Sequence, residues 1–115
     1  MALAESQGSL YAGIPESLPA ELCDVLATAG SVRIERIVSR GHASPEGFWY
    51  DQPRAEFVVL VCGQAGLRFE GETGVRMLAA GEYLNIPARV RHRVEWTDPD
   101  GDTVWLVVHY PASVE

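Results

Sequence analysis

Past residue 30 the pattern of apolar and polar positions settles into a period of two. Val32, Ile34, Arg36 and Val38 alternate with Arg33, Glu35, Ile37 and Ser39, as in a strand. Further strand-like runs follow at Phe48–Gln52, Ala55–Cys62, Leu67–Glu70, Val75–Leu78, Tyr83–Ile86, His92–Thr97 and Thr103–His109, with Gly, Pro, Asp and Asn between them. Eight short runs joined by brief turns predict an all-β antiparallel sandwich or barrel. No helical period interrupts them, which excludes a βαβ arrangement.

Ahead of these runs the rhythm is different. Leu18, Leu22, Val25, Leu26 and Ala29 fall on one helical face, with Ser17 placed to cap it, Pro19 in its first turn and Gly30 at its stop. One short N-terminal helix is therefore predicted. Residues 1–13 show no period and read as a loose N-terminal arm, leaving residues 14–115 as one domain.

Composition narrows the classes of function. With 115 residues there is room for a single core, and 47% hydrophobic with 22% charged residues is ordinary for a folded domain. Formal charge is −7, which disfavours binding to nucleic acid. All nine basic residues are arginines, so no side-chain amine exists for Schiff-base chemistry and pyridoxal phosphate is excluded as a cofactor; no nucleotide cofactor is expected either. The longest apolar run, Phe57–Cys62, falls far short of the roughly 20 residues a membrane helix needs. No membrane association is expected, and the opening MALAESQGSL lacks the basic and apolar regions of a secretory signal, so the expected compartment is the cytoplasm. Cys23 and Cys62 lie outside any CxxC spacing and read as buried thiols.

Two residues carry the chemistry by strand parity. Glu56 opens a strand that is apolar on both faces, so its carboxylate is partly desolvated and needs a partner. His92 shares a face with Val94 and Trp96 while Arg91, Arg93 and Glu95 face the other way, which makes it an inward imidazole. His109 shares a face with Trp105 and Val107, and parity leaves open whether that face looks inward. The run Gly47–Gln52 is aromatic, and Trp49, Tyr50, Trp96 and Trp105 are read as lining a pocket for a small molecule, or else as filling the core. Arg89, Arg91 and Arg93 form either an anion-attracting rim or a solvated face, and His42 falls in a Gly/Ser/Pro loop.

At Glu56, Gly63, Gly81, Pro87 and His92 the chain resembles the cupin superfamily. Glu56 and Gly63 match the second half of that family's first motif, and Gly81, Pro87 and His92 match its second motif in register. The resemblance covers Val32 to Tyr110. It implies a cupin-type double-stranded antiparallel β barrel, or jelly roll, and a homodimer formed through the sheets. The departures are equally plain. The paired histidines of the first motif are replaced by Trp49 and Asp51 or by Tyr50 and Gln52, depending on spacing, and Arg89 and Trp96 stand where the second motif has glycine and asparagine.

The family's metal site is therefore incomplete here. The resemblance implies Glu56 and His92 as ligands of one divalent ion, with Asp51 as a substitute and His109 last. The competing reading is a hydrogen-bonded Glu56–His92 pair that needs no metal. Two functions stay open: a small metal-assisted enzyme acting on a small organic molecule, and a metal-free ligand-binding or sensing module.

Overall fold

The computed structural model describes residues 5–112. Eight strands follow one another: β1 (Leu22–Ala29), β2 (Val32–Ser39), β3 (Ala55–Cys62), β4 (Gln64–Phe69), β5 (Val75–Ala79), β6 (Tyr83–Ile86), β7 (His92–Thr97) and β8 (Thr103–Tyr110). They form a five-stranded sheet in the order β1-β2-β8-β3-β6 and a three-stranded sheet in the order β5-β4-β7, every pairing antiparallel. Val58, Leu60, Leu67, Ile86, Trp105 and Val107 are among the buried residues of the core, drawn from both sheets. This is the expected all-β jelly roll.

The N-terminal helix is not formed. The stretch predicted to be helical is strand β1, paired with β2 along its length from Leu22↔Val38 to Ala29↔Val32, with a bulge at Leu26. A short apolar run with matches at i+4 and i+7 is compatible with either state, and the available partner decides. Here β2 offers a row of backbone groups that would otherwise end the sheet. Gly30, read as a helix stop, instead turns the chain back at φ 58° in the two-residue Gly30-Ser31 link of a hairpin. Asp24 and Arg36 lie directly opposite each other, and the guanidinium donates to the carboxylate at 2.9 and 2.5 Å.

The segment before β1 is held by arginines of the sheet. Arg36 donates to the carbonyls of Leu10 and Ala12 at 3.0 and 2.6 Å, and Arg40 to the carbonyl of Glu16 at 2.7 Å. Residues 1–4 of the arm lie outside the described residues.

The run Phe48–Gln52 is not a strand either. It contributes one bridge, Tyr50↔His92, along the outer edge of β7. Ser44 bonds to Val94 there, and Arg93 donates to the carbonyls of Ser44, Pro45 and Phe48. Gly66 lets this sheet close tightly. A Cβ there would stand 2.2 Å from the Trp96 ring nitrogen, so only glycine allows the indole to lie flat on β4. Among the described residues no helix is long and apolar enough to cross a membrane. Both cysteines are free thiols; Cys62 is half-buried, whereas Cys23, read from the sequence as buried, is exposed on β1, the edge strand of its sheet.

Candidate functional site

Register builds the site. Arg33 on β2, His109 on β8 and Glu56 on β3 are directly opposite one another, forming one row across three strands, and Ile86 on β6 extends it. Glu35 lies two residues along β2 on the same face, diagonal to His109. The Trp105–Val107–His109 face of β8 is therefore the inward one. It borders a cavity of about 190 Å³ between the two sheets.

Around that row the side chains form two carboxylate–imidazole pairs, one of them reaching across to His92 on β7. His92 Nε2 lies 2.8 Å from Glu56 Oε1, and His92 Nδ1 donates to the Val90 carbonyl at 2.9 Å. His109 Nε2 lies 2.9 Å from Glu35 Oε1, while Arg33 Nε stands 3.0 Å from Glu35 Oε2, close enough for an ion pair but off line for a hydrogen bond. All four members of the two pairs are buried, with His92 4%, His109 5%, Glu35 7% and Glu56 9% exposed. The rings of Tyr50 and Phe69, the cross-strand neighbours of His92 on its two sides, stack on it with centroids 5.3 and 5.9 Å away and fix its plane.

Proton positions follow from these partners. The Val90 carbonyl only accepts, so His92 Nδ1 carries a proton. Burial by itself would lower the pKa of His92, but the hydrogen bond to Glu56, the Val90 carbonyl and the charge of Glu56 together hold it above its ordinary value. The carboxylate thus favours the charged form of the imidazole. His109 differs, because its Nδ1 is buried without a hydrogen-bond partner and its nearest polar neighbour across the row is Glu56 Oε2 at 3.9 Å. The Glu35 carboxylate thus fixes the orientation of the His109 ring through Nε2, and Nδ1 stays buried in the wall.

The other residues singled out from the sequence separate into two groups. Tyr50 and Trp105 line the cavity, and Trp105 Nε1 donates to Ser39 Oγ at 3.1 Å, whose hydroxyl in turn bonds Glu21 at the cavity's mouth. Trp49 and Trp96 do not line it. Trp49 lies beneath the Arg93 guanidinium. Trp96 is turned to the outside by a bulge: Val94 pairs with Leu67 and Trp96 with the very next residue, Gly66, so Glu95 is the extra residue and parity is reset beyond it. Asp51 is exposed and faces Arg89 at 3.5 Å, away from Glu56 and His92. His42 accepts from the Arg40 amide at 2.9 Å. Arg89, Arg91 and Arg93 each stand beside a carboxylate, Asp51, Glu70 and Glu95, so they form no free anion rim.

Arg33, Glu35 and Glu21 line the cavity and were not singled out from the sequence. The one available signal was that Arg33 and Glu35 share a face with Ile37, and parity alone does not say which face looks inward.

A divalent ion fits this arrangement poorly. Glu56 and His92 are bonded to each other, the second nitrogen of His92 faces a carbonyl, and Asp51 lies elsewhere. Among the described residues no group of three or more His, Cys, Asp or Glu is placed to hold a metal ion.

Comparison with solved structures agrees with the architecture. A protein of Ralstonia eutropha JMP134, provisionally named a mannose-6-phosphate isomerase, is 46% identical over 94% of this chain and 100% of its own, with a TM-score of 0.91. A cupin superfamily protein of Desulfitobacterium hafniense DCB-2 matches over 95% of this chain and 94% of its own, at 17% identity and a TM-score of 0.72. An RmlC-like cupin of Methanocaldococcus jannaschii with a double-stranded β-helix fold covers 86% of this chain and 87% of its own, at 18% identity and a TM-score of 0.66. No protein-family model and no curated protein matches the chain. The chain belongs to the cupin superfamily.

Proposed function

We propose that this cupin binds a small organic molecule in its barrel cavity, directly on the buried carboxylates and imidazoles and without a divalent ion between. One observation carries the reading: the cluster Glu35, His109, Glu56 and His92 is buried in the cavity wall among Ile37, Val58, Leu67, Ile86 and Val107, and His109 Nδ1 is left without a hydrogen-bond partner. Buried ionic groups contribute little to stability compared with apolar residues of similar volume, so their presence beside a cavity points to a ligand. About 190 Å³ is below the range that takes drug-sized molecules, which suits a small metabolite.

The test is a screen of small amines, alcohols, carboxylates and sugars against protein purified without an affinity tag, by melting temperature and tryptophan fluorescence, with and without chelator. Saturable binding indifferent to chelator supports the proposal. Binding that vanishes on chelation and returns with a divalent ion overturns its metal-free part, and silence across all classes overturns it entirely.

The name of the Ralstonia protein suggests a sugar phosphate and an isomerase. The cavity wall argues against a phosphate, since Glu21, Glu35 and Glu56 line it and its single guanidinium, Arg33, already faces Glu35. We also propose a cytoplasmic homodimer. Free thiols at Cys23 and Cys62 suit a reducing compartment, and β1 is an edge strand that exposes Val25 and Leu26. Light scattering that shows a monomer at high concentration would reject the dimer.

A further inference from the structure

We infer that the outer face of the five-stranded sheet is the surface on which two copies of this chain pack, related by a two-fold axis; this rests on the proposal that the chain is a homodimer and gives that dimer its interface.

Charge on this sheet lies toward the cavity, where β2, β8 and β3 present Arg33, Glu35, His109 and Glu56. The side turned away is apolar. There Ile34, Val108 and Phe57 stand directly opposite one another in one row, and Leu106, Val59 and Tyr83 in the next. Along β3 and β8 buried residues alternate with half-buried ones, and Phe57, Val59, Leu106 and Val108 belong to the half-buried set. Tyr83, on the edge strand β6, is 67% exposed and stacks on Phe57 with centroids 5.2 Å apart. An antiparallel sheet that meets water on one side carries polar residues there, whereas strands apolar on both sides belong to a sheet covered on both. The three-stranded sheet covers one side. The segment before β1 is anchored over β2, at Arg36, and β3 and β6 lie two and three strands away from that anchor. The rest of the face asks for a second layer.

Charge selects a second copy as that layer. The charged side chains that continue these rows are Asp24 on β1 and Arg36 on β2, and they neutralise each other. With a net charge of −7, two copies repel through their acidic surfaces, and a basic partner would be drawn to those same surfaces. The uncharged rows let like meet like without that opposition, and an apolar patch is its own complement under a two-fold axis. The β1 edge is a poorer contact, because the bulge at Leu26 breaks the regular spacing of backbone groups that a partner strand would need.

The experiment is sedimentation velocity on the full chain and three variants, each checked for folding by circular dichroism: Phe57→Lys at the centre of the face, Tyr83→Lys at its exposed rim and Leu26→Lys on the β1 edge. The wild type is expected to sediment as a dimer at about 20 µM, above the micromolar limit of standard-size interfaces. Phe57→Lys is expected to weaken the dimer at least about a hundredfold, because each copy then brings an unpaired charge into an apolar contact. Tyr83→Lys, at a position too exposed to matter for folding, is expected to weaken it about tenfold and decides the matter should Phe57→Lys not fold. Leu26→Lys is expected to leave the dimer intact. A wild type that stays monomeric at high micromolar concentration overturns the dimer and its interface together. A dimer that survives the outer-face variants, or that Leu26→Lys weakens as much as they do, overturns the face and leaves the homodimer standing. Species larger than a dimer overturn the two-fold pairing.

Discussion

Glu56 and His109 lie directly opposite each other on β3 and β8, and each is bonded away from the other. Glu56 reaches β7 to pair with His92, and His109 reaches β2 to pair with Glu35. The backbone register places the two side by side, while their outer partners leave Glu56 Oε2 and His109 Nδ1 facing each other at 3.9 Å without a hydrogen bond. His109 Nδ1 is thereby buried without a hydrogen-bond partner, at a cost in desolvation.

Removing one member of the buried His92–Glu56 pair leaves the other uncompensated. His92→Ala is expected to cost about 3–5 kcal/mol in urea denaturation, and His92→Gln, which keeps a donor near Glu56, distinctly less. A loss below about 1 kcal/mol for the alanine variant would mean that the pair is solvated.

Stability should depend on pH through the same histidine. Because the folded protein holds the pKa of His92 above its unfolded value of 6.5, the imidazolium's contribution is complete below that value and is lost as pH rises through the folded one. Denaturation at a series of pH values from 6 upward, roughly across the histidine range, should show this decline, and Glu56→Gln should flatten it. A stability that rises over the same range contradicts the assignment.

Gly63 sits at φ 90°, where a Cβ would stand 2.6 Å from the Thr103 backbone. Gly63→Ala combines a strained conformation with a clash that no side chain can relieve, and is expected to cost about 2–4 kcal/mol by chemical denaturation. A neutral effect would show that β3 and β8 are less closely apposed there.

Arg89 holds the left-handed conformation, φ 67°, at the position where the family's second motif has glycine. Arg89→Gly should therefore raise stability by up to about 1 kcal/mol, partly offset by the unfolded chain's added freedom, whereas Arg89→Val should lower it. Melting temperatures of the two variants in parallel decide the matter.

A ligand in the cavity meets Trp105 and not Trp96. Trp105→Phe is expected to abolish the fluorescence response to ligand and Trp96→Phe to preserve it, and the opposite outcome would move the site to the outer face of the smaller sheet.

Much of this protein was readable along its chain. The limits of β2, β3, β6 and β7 coincide with short alternating or apolar runs set between turn residues. The inward placement of His92 followed from the alternation of side chains along a strand, whereas that of Glu56, on a strand apolar on both faces, rested on the motif resemblance. What parity cannot supply is the choice of side. On β2 the more apolar set, Val32, Ile34 and Val38, faces away from the cavity, while Arg33 and Glu35 line it, because β8 carries a histidine that needs them. A single bulge at Glu95 then carried Trp96 to the outside, and a free row of backbone groups on β2 drew a helix-like run into β1. These outcomes depend on contacts between residues distant in sequence, and such contacts exist only once the sheets have paired. The sequence determined which residues share a face; the tertiary structure decided which face encloses the site.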